Sequence, residues 1–382
     1  MAATESDNSI SINELKEDNV SFLVIGDWGK TQDNCAEGTP QQQVAKKLKE
    51  QYSACDFVIS VGDNFYFDDN KNEKYKNLSI RNKNKNINNT TSKNNFTKNY
   101  LDYWYKIWYN CYINGVSHVI PWYGVLGNKE YQYHCNLTPH FPLKLQKNKK
   151  DKFYKTNNRS NNRPNNLKNA NKWKIVKIGS LTCPLKKEGD DKLLFIFIDT
   201  TPLIHKQRNK NKGKCTPALK NNKKMIELDS IKDKINDIIS SKRHKYCILV
   251  GHHPAYSKGH FKKGTQKAGN NDLIINLIKD INKDNSKINM YLCGHQHYLD
   301  VFKKDKVVYV ISGAGGEDSN KISRDINDKP RYGFFKITMK QEGDNYKPVL
   351  KQFKQKLFEP PNTWRNENGV NQELINNSSP NE

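Results

Sequence analysis

The stretch CDFVISVGDNFYF (55–67) carries a short apolar run that ends in a glycine followed by a polar residue. Runs of four to eight apolar residues bounded by turn residues are typical of buried β-strands. Seven further stretches have the same character, so the sequence predicts eight buried strands. The others are SFLVIGD (21–27), PWYGVLGN (121–128), KLLFIFIDT (192–200), KYCILVGHH (245–253), INMYLCGHQH (288–297), VVYVISGAGG (307–316) and YGFFKITM (332–339).

Helix-like segments lie between these runs. The sequence predicts helices over 40–52, 101–113, 226–240 and 272–282, and the last two space their isoleucines along one helical face. Strands that alternate with helices indicate an α/β chain of packed layers. In such folds the carboxyl ends of the strands carry the site.

Seven side chains at these strand ends are potential metal ligands, and all offer an oxygen or an imidazole nitrogen. They are Asp27, Asp63, Tyr66, Asn128, His252, His295 and His297. A single ion cannot use all seven, so the set predicts two adjacent cations bridged by one carboxylate. Such a pair favours displacement at phosphorus, and the hard anionic phenolate of Tyr66 suits a trivalent ion such as iron(III).

In the order GDWG, GDNFY, GN, GHHP and GHQH, these blocks resemble the calcineurin-like metallophosphoesterases. Within that superfamily they resemble the small, tartrate-resistant type of purple acid phosphatase. The block GDNFYF distinguishes the purple acid phosphatases from the Ser/Thr protein phosphatases of the same superfamily. The latter carry GDxVDRG there and lack the tyrosine. The similarity extends from about Ser21 to about Lys340. It implies a layered α/β (α+β) fold, a β-sandwich of two mixed sheets flanked by helices.

The resemblance also implies ligand roles. Asp27, Tyr66 and His297 would hold iron(III), and Asp63 would bridge the two metals.

The second metal, iron(II), zinc or manganese in the family, would be held by Asn128, His252 and His295. The implied activity is that of an acid phosphatase. A metal-activated hydroxide attacks the phosphorus of a phosphomonoester, either a small molecule or a phosphoprotein, and the leaving oxygen takes up a proton.

The third block departs from the family. There the family has GNHD or GNHE, whose histidine binds phosphate and helps to protonate the leaving group, whereas this chain has GNKE (127–130). Lys129 can hold a phosphate as a point charge. With an ordinary pKa of about 10.4, a lysine is a poorer proton donor than a histidine at mildly acidic pH. His260, which falls near the family's second outer histidine, and His253 are the other candidate acids.

Two other functions stay open. One is a catalytically weak or inactive scaffold on the same fold, which Lys129 favours and the intact ligand set opposes. The other is an enzyme that acts on a phosphodiester, a phosphoprotein or an anionic polymer drawn by a basic surface.

The 382-residue chain is basic, with 64 Lys+Arg, 40 Asp+Glu and a net charge of +24. The excess lies in Lys- and Asn-rich stretches at about 70–99, 144–172 and 205–224, which bury too little apolar surface to order themselves. We therefore expect one domain over 18–358 with three flexible insertions, followed by a polar tail over 359–382. Contact of the insertions with a polyanion is an alternative, although they mostly lack the aromatic residues that stack on bases.

The eight cysteines are scattered singly, without a CxxC motif. Cys247 and Cys293 lie in apolar runs and are predicted to be buried free thiols, which fits a reducing compartment, although an even count also permits disulfides. No apolar run is long enough for a transmembrane helix. The first residues have neither a basic nor an apolar signal region, so the chain as it stands is expected to be cytoplasmic. The family resemblance favours secretion instead.

Overall fold

A computed structural model of the chain contains two mixed β-sheets with helices against their outer faces, so the predicted fold class is confirmed. All eight predicted strands are present, and the described residues contain four more. The described residues are 19–29, 35–64, 66, 107–129, 173–175, 193–201, 203–204, 228–240, 244–257, 271–283, 287–316, 331–343, 345–356 and 365–367.

The first sheet has seven strands. In chain order they are β1 (Val20–Ile25), β2 (Phe57–Ser60), β3 (Trp122–Gly124), β4 (Trp173–Ile175), β10 (Arg331–Glu342), β11 (Asn345–Lys356) and β12 (Arg365–Glu367). Their spatial order is β12-β11-β10-β1-β2-β3-β4. β1, β2, β3 and β4 run parallel, so their carboxyl ends meet at one edge, whereas β10 pairs antiparallel with β1.

The second sheet has five strands. They are β5 (Leu193–Phe197), β6 (Tyr246–Val250), β7 (Met290–Cys293), β8 (Leu299–Lys304) and β9 (Val307–Ser312), in the spatial order β5-β6-β7-β9-β8. All neighbours are parallel except β8, which forms an antiparallel hairpin with β9. The carboxyl ends of β6 and β7 are therefore also side by side.

Alternation along β1 explains how the layers pack. Phe22 and Val24 belong to the core between the two sheets, whereas Leu23 and Ile25 belong to a second core on the outer face of the first sheet. That outer core includes helix α1 (Pro40–Lys49) and the π-helix Tyr109–Ile113. Residues on neighbouring positions of one strand face opposite sides, so β1 is covered on both faces.

Helices α2 (Leu228–Ser240) and α3 (Asp272–Asn282) cover the outer face of the second sheet. Ile231, Ile235 and Ile239 repeat at intervals of four residues and are buried there. The helical spacing of isoleucines that predicted these two helices is therefore confirmed. Of the predicted helix over 101–113, residues 101–106 lie outside the described part of the chain.

Two of the four additional strands show what the sequence pattern did not reveal. β11 was not predicted, because lysines and glutamines interrupt its buried apolar residues, such as Leu350 and Phe353, so that it contains no continuous apolar run. β12 lies within the predicted polar tail and pairs with β11. The three basic stretches at 70–99, 144–172 and 205–224 lie outside the described residues, as does His260.

The described residues include one disulfide and three free cysteines. Cys35 and Cys111 form a disulfide with a Cα–Cα distance of 5.5 Å, which joins the segment after β1 to the π-helix. Cys247 and Cys293 are buried free thiols, as predicted. The Cys35–Cys111 disulfide is the alternative that the even cysteine count left open. No helix in the described residues is long and apolar enough to cross a membrane.

Candidate metal centre

Three of the predicted ligands converge on the hydroxyl of a fourth, Tyr66, and we call these four residues the tyrosine group. The Tyr66 hydroxyl lies 2.8 Å from Asp27 Oδ1, 3.1 Å from Asp63 Oδ2 and 3.2 Å from His297 Nε2. His297 Nε2 is also 3.2 Å from Asp27 Oδ1. One phenol, two carboxylates and one imidazole therefore surround a single point.

The other predicted ligands converge on the side-chain oxygen of Asn128, and we call them the asparagine group. Asn128 Oδ1 lies 2.7 Å from His295 Nδ1 and 3.1 Å from His252 Nε2. His252 Nε2 is 3.3 Å from Asp63 Oδ1. Asp63 thus takes part in both groups.

Asp63 joins the groups through its two different oxygens. Oδ2 lies against the Tyr66 hydroxyl, whereas Oδ1 lies against His252 and accepts the backbone N–H of Lys129 at 2.8 Å. A carboxylate whose oxygens face two separate ligand sets has the arrangement needed to bridge two cations.

Three of these residues have a left-handed backbone conformation, which sets the direction of their side chains. Asp27, Asp63 and His295 each follow a glycine at a strand end and have φ values of 56°, 48° and 67°. This left-handed conformation is uncommon for residues other than glycine, but Asp, Asn and His adopt it more readily than most. The bonds that hold it run between strands: His295 N donates to Asp27 Oδ2 at 2.8 Å, and Asp27 N donates to Gly62 O at 3.0 Å.

Two glycines leave room for the ligands. A Cβ on Gly62 (φ +94°) would lie 2.6 Å from His252 Nδ1, and a Cβ on Gly127 would overlap the carboxylate and backbone nitrogen of Asp63. These two glycines are therefore required by the close approach of His252 and Asp63.

A buried hydrogen-bond network behind the site was missed by the sequence analysis. Trp28 Nε1 donates to Ser60 Oγ at 2.8 Å, Ser60 Oγ donates to Asn64 Oδ1, and Asn64 Nδ2 donates to the Val125 carbonyl at 2.9 Å. The network ties together the ends of β1, β2 and β3. Its only sequence signal is the polar Asn64 inside GDNFY.

The Asp63–His252 pair controls the electrostatics. Burial by itself lowers the pKa of His252, but the charge and the hydrogen bond of Asp63 more than offset this and raise it to about 9. Burial opposes ionisation of Asp63, but the charge and hydrogen bond of His252 hold the pKa of Asp63 below its ordinary value. Without a metal, the buried carboxylate is therefore balanced by an imidazolium.

The donor set fits metal ions better than it fits hydrogen bonding alone. Tyr66 has one proton, yet two carboxylate oxygens and one imidazole nitrogen lie within 3.2 Å of its oxygen. His252 Nδ1 is 2.8 Å from the Val61 carbonyl, so a proton on Nδ1 satisfies that carbonyl and leaves Nε2 as a ligand atom. Metal-competent clusters are formed by Asp27, Asp63 and His252 and by His252, His253 and His295.

Of the candidate proton donors, two lie at the site. Lys129 is half-buried, and its Nζ is 5.3 Å from the centroid of the Tyr66 ring. His253 is buried, with its ring centroid 4.5 Å from that of His295. The third, His260, lies outside the described residues.

Two mixed sheets carry these candidate metal-binding side chains at their strand ends. The family profile described as "Calcineurin-like phosphoesterase" matches residues 20–299. The chain belongs to the calcineurin-like phosphoesterase family.

Several relatives are named purple acid phosphatases. The chain is 25% identical to purple acid phosphatase 3 of Arabidopsis thaliana over 316 residues, which span 81% of this chain and 66% of that protein. It is 23% identical to purple acid phosphatase 7 of the same plant over 80% of this chain and 73% of that protein. The resemblance to purple acid phosphatases is therefore confirmed, and the aligned region covers slightly less than two-thirds of the first relative.

Among solved structures, the chain is similar to GAP50, described as the anchor in the inner membrane complex of Plasmodium. The TM-score is 0.51 at 20% identity, and the match covers 92% of this chain and 90% of that chain. This likeness establishes the fold only.

Proposed function

We propose that the chain is an acid phosphatase of the purple acid phosphatase type, which hydrolyses phosphomonoesters with iron(III) beside iron(II), zinc or manganese. The observation that carries the proposal is Asp63, whose two oxygens face two separate ligand groups. When bound, two cations polarise a phosphoryl oxygen and lower the pKa of a water molecule.

The charges of the two groups support unlike metals. The tyrosine group offers the Asp27 carboxylate and an ionisable phenol in addition to the shared Asp63. The asparagine group offers, besides Asp63, only the neutral amide of Asn128 and two imidazoles. The more anionic group suits a trivalent cation, and the more neutral group suits a divalent one.

Lys129 supports a dianionic substrate. Its backbone N–H donates to Asp63, and its ammonium lies over the Tyr66 ring at the side of the tyrosine group. There the ammonium holds a phosphate oxygen as a point charge. A phosphomonoester dianion gains more from this charge than a diester monoanion does.

The first experiment measures hydrolysis of an aryl phosphate by the iron-reconstituted chain across pH, with Asp63→Asn as the control. We expect turnover by the native chain and none above background by the variant, because the carboxylate bridge is lost. Full turnover by Asp63→Asn refutes the two-metal assignment. Faster hydrolysis of a bis-aryl phosphate than of the monoester refutes the monoester assignment.

A second experiment tests the metal and the acid separately. Iron(III) bound through the Tyr66 phenolate absorbs visible light by charge transfer, so Tyr66→Phe should abolish that band. Lys129→His should raise activity at acidic pH if a leaving-group acid limits the native chain. An unchanged pH profile would assign protonation to another group or to solvent.

The alternative is a scaffold that retains the site as a structural element. Lys129 in place of the family histidine favours it. No turnover by a chain that carries two bound metals would support it over the phosphatase.

A further inference from the structure

His253 lies beside the asparagine group although it is not one of the seven predicted ligands. It is 5% exposed. The centroid of its ring is 4.5 Å from that of His295 and 4.8 Å from that of His252. One ligand-type nitrogen from each of these three histidines lies within 4.8 Å of the other two. His253 is therefore close enough either to bind the second metal or to contact a substrate bound there.

Thr200, which follows β5, distinguishes these two roles. Its Oγ1 accepts the backbone N–H of His252 at 3.2 Å and the backbone N–H of His253 at 3.1 Å. It also lies 2.8 Å from His253 Nδ1. A hydroxyl has two acceptor lone pairs and one proton. Because both lone pairs receive backbone N–H groups, the Thr200 proton is the one that points to His253 Nδ1.

This hydrogen bond sets the tautomer of His253. A neutral imidazole has one nitrogen that accepts and one that donates. With Nδ1 accepting from Thr200, the proton of the ring resides on Nε2, and neither nitrogen offers a lone pair to a metal. We propose, on the basis of the phosphatase function above, that His253 donates its Nε2–H to an oxygen of the substrate's phosphate group, and that Thr200 is the positioning residue that fixes this tautomer.

The surroundings keep Thr200 and His253 in place. Thr200 is fully buried. The Tyr291 hydroxyl donates to the His253 carbonyl at 2.6 Å. A Cβ on Gly251 would lie 2.6 Å from that hydroxyl and 2.8 Å from Thr200 Cγ2. The tight packing leaves the threonine hydroxyl facing His253.

The test compares two affinities of the full-length chain: that for zinc and that of the zinc-loaded chain for inorganic phosphate, both by calorimetry. His253→Ala should leave zinc affinity unchanged and weaken phosphate binding roughly tenfold or more, as expected for loss of a hydrogen bond to a charged group. His253→Gln is the matched variant, because its amide N–H can replace Nε2–H but the amide is a poor zinc ligand. It should restore most of the phosphate affinity.

Thr200 is tested by the same phosphate measurement. Thr200→Val keeps the shape but removes the hydroxyl and should weaken phosphate binding, whereas Thr200→Ser should restore it. ¹⁵N-histidine NMR of the native chain reads the tautomer directly. We expect the His253 proton on Nε2 both before and after zinc is added.

Several results would overturn the proposal. A tenfold or greater loss of zinc affinity in both His253 variants makes His253 a metal ligand. Unchanged phosphate affinity in His253→Ala leaves only a structural role, and a proton on Nδ1 contradicts the bond from Thr200. If the zinc-loaded chain binds no phosphate, the Nε2–H of His253 has no phosphate oxygen to donate to, and the proposal is wrong. A chain that binds phosphate through His253 but hydrolyses no phosphomonoester refutes the proposed function and keeps this inference.

Discussion

Stability of the metal-free chain should fall as the pH rises from about 6.5 to about 9. The cause is the buried His252–Asp63 pair, whose nearest atoms are 3.3 Å apart. Partnership with Asp63 raises the pKa of His252 from 6.5 to about 9. A group whose pKa is raised by folding stabilises the folded state below its unfolded pKa, and this stabilisation disappears as the pH passes the folded pKa.

The size of the effect follows from the pKa change. Each pKa unit corresponds to about 1.4 kcal/mol, so the rise to about 9 amounts to about 3 kcal/mol of stability between pH 6 and pH 9. The same pair lowers the pKa of Asp63, so acid should also destabilise the chain below that group's ordinary value of 3.8. The stability contributed by this pair is therefore greatest between about pH 4 and pH 6.5.

The assay is urea denaturation of the chain in chelator at half-unit pH steps. The variant His252→Gln removes the titrating group and should flatten the decline between pH 6.5 and pH 9. His118→Gln, at an exposed position before β3, is the matched control and should follow the native curve. A native curve that stays level or rises over this range would refute the reasoning. So would an equal decline in His252→Gln.

Two further predictions concern other parts of the structure. Gly127→Ala should lower metal content and abolish activity, because its Cβ overlaps the Asp63 carboxylate; native metal content by elemental analysis would contradict this. Replacing Cys35 and Cys111 by serine should lower the unfolding free energy by about 4 kcal/mol, the chain-entropy value for a separation of 76 residues. Cys55→Ser, at a free cysteine, is the control for that denaturation measurement, and equal stability of the two variants would contradict the expectation.

The candidate ligands carry a local signal: five of the seven directly follow a glycine at a strand end, and Tyr66 and His297 lie two or three residues further on. An apolar run gives a strand, the glycine ends it, and the next residue stands at the carboxyl edge of the sheet. The parallel register of β1 with β2 and of β6 with β7 then brings these edges together. The local sequence pattern was sufficient to predict which side chains lie together, because parallel strands place their carboxyl ends at the same edge of a sheet.

Features that depend on contacts between distant segments had no such signal. β10 pairs with β1 across more than 300 residues, and the Ser21 and Thr338 hydroxyls meet at 2.9 Å. The pairing of Cys35 with Cys111 and the contact of Thr200 with His253 also join distant segments, 76 and 53 residues apart. Thr200 does follow the β5 run, so the rule that found the candidate ligands would have singled it out had it been extended to hydroxyl residues and to strands that do not end in glycine.

The left-handed backbone at Asp27, Asp63 and His295 indicates that bonds within the fold build the candidate site. Each such non-glycine residue costs on the order of 1–3 kcal/mol and persists only where the surroundings enforce it. Asp27 is enforced by the backbone N–H of His295 and by Gly62, and Asp63 by the backbone N–H of Lys129. These bonds join separate strands and need no cation. A candidate ligand set that these bonds already organise has little conformational freedom left to lose, and such preorganisation favours the binding of cations.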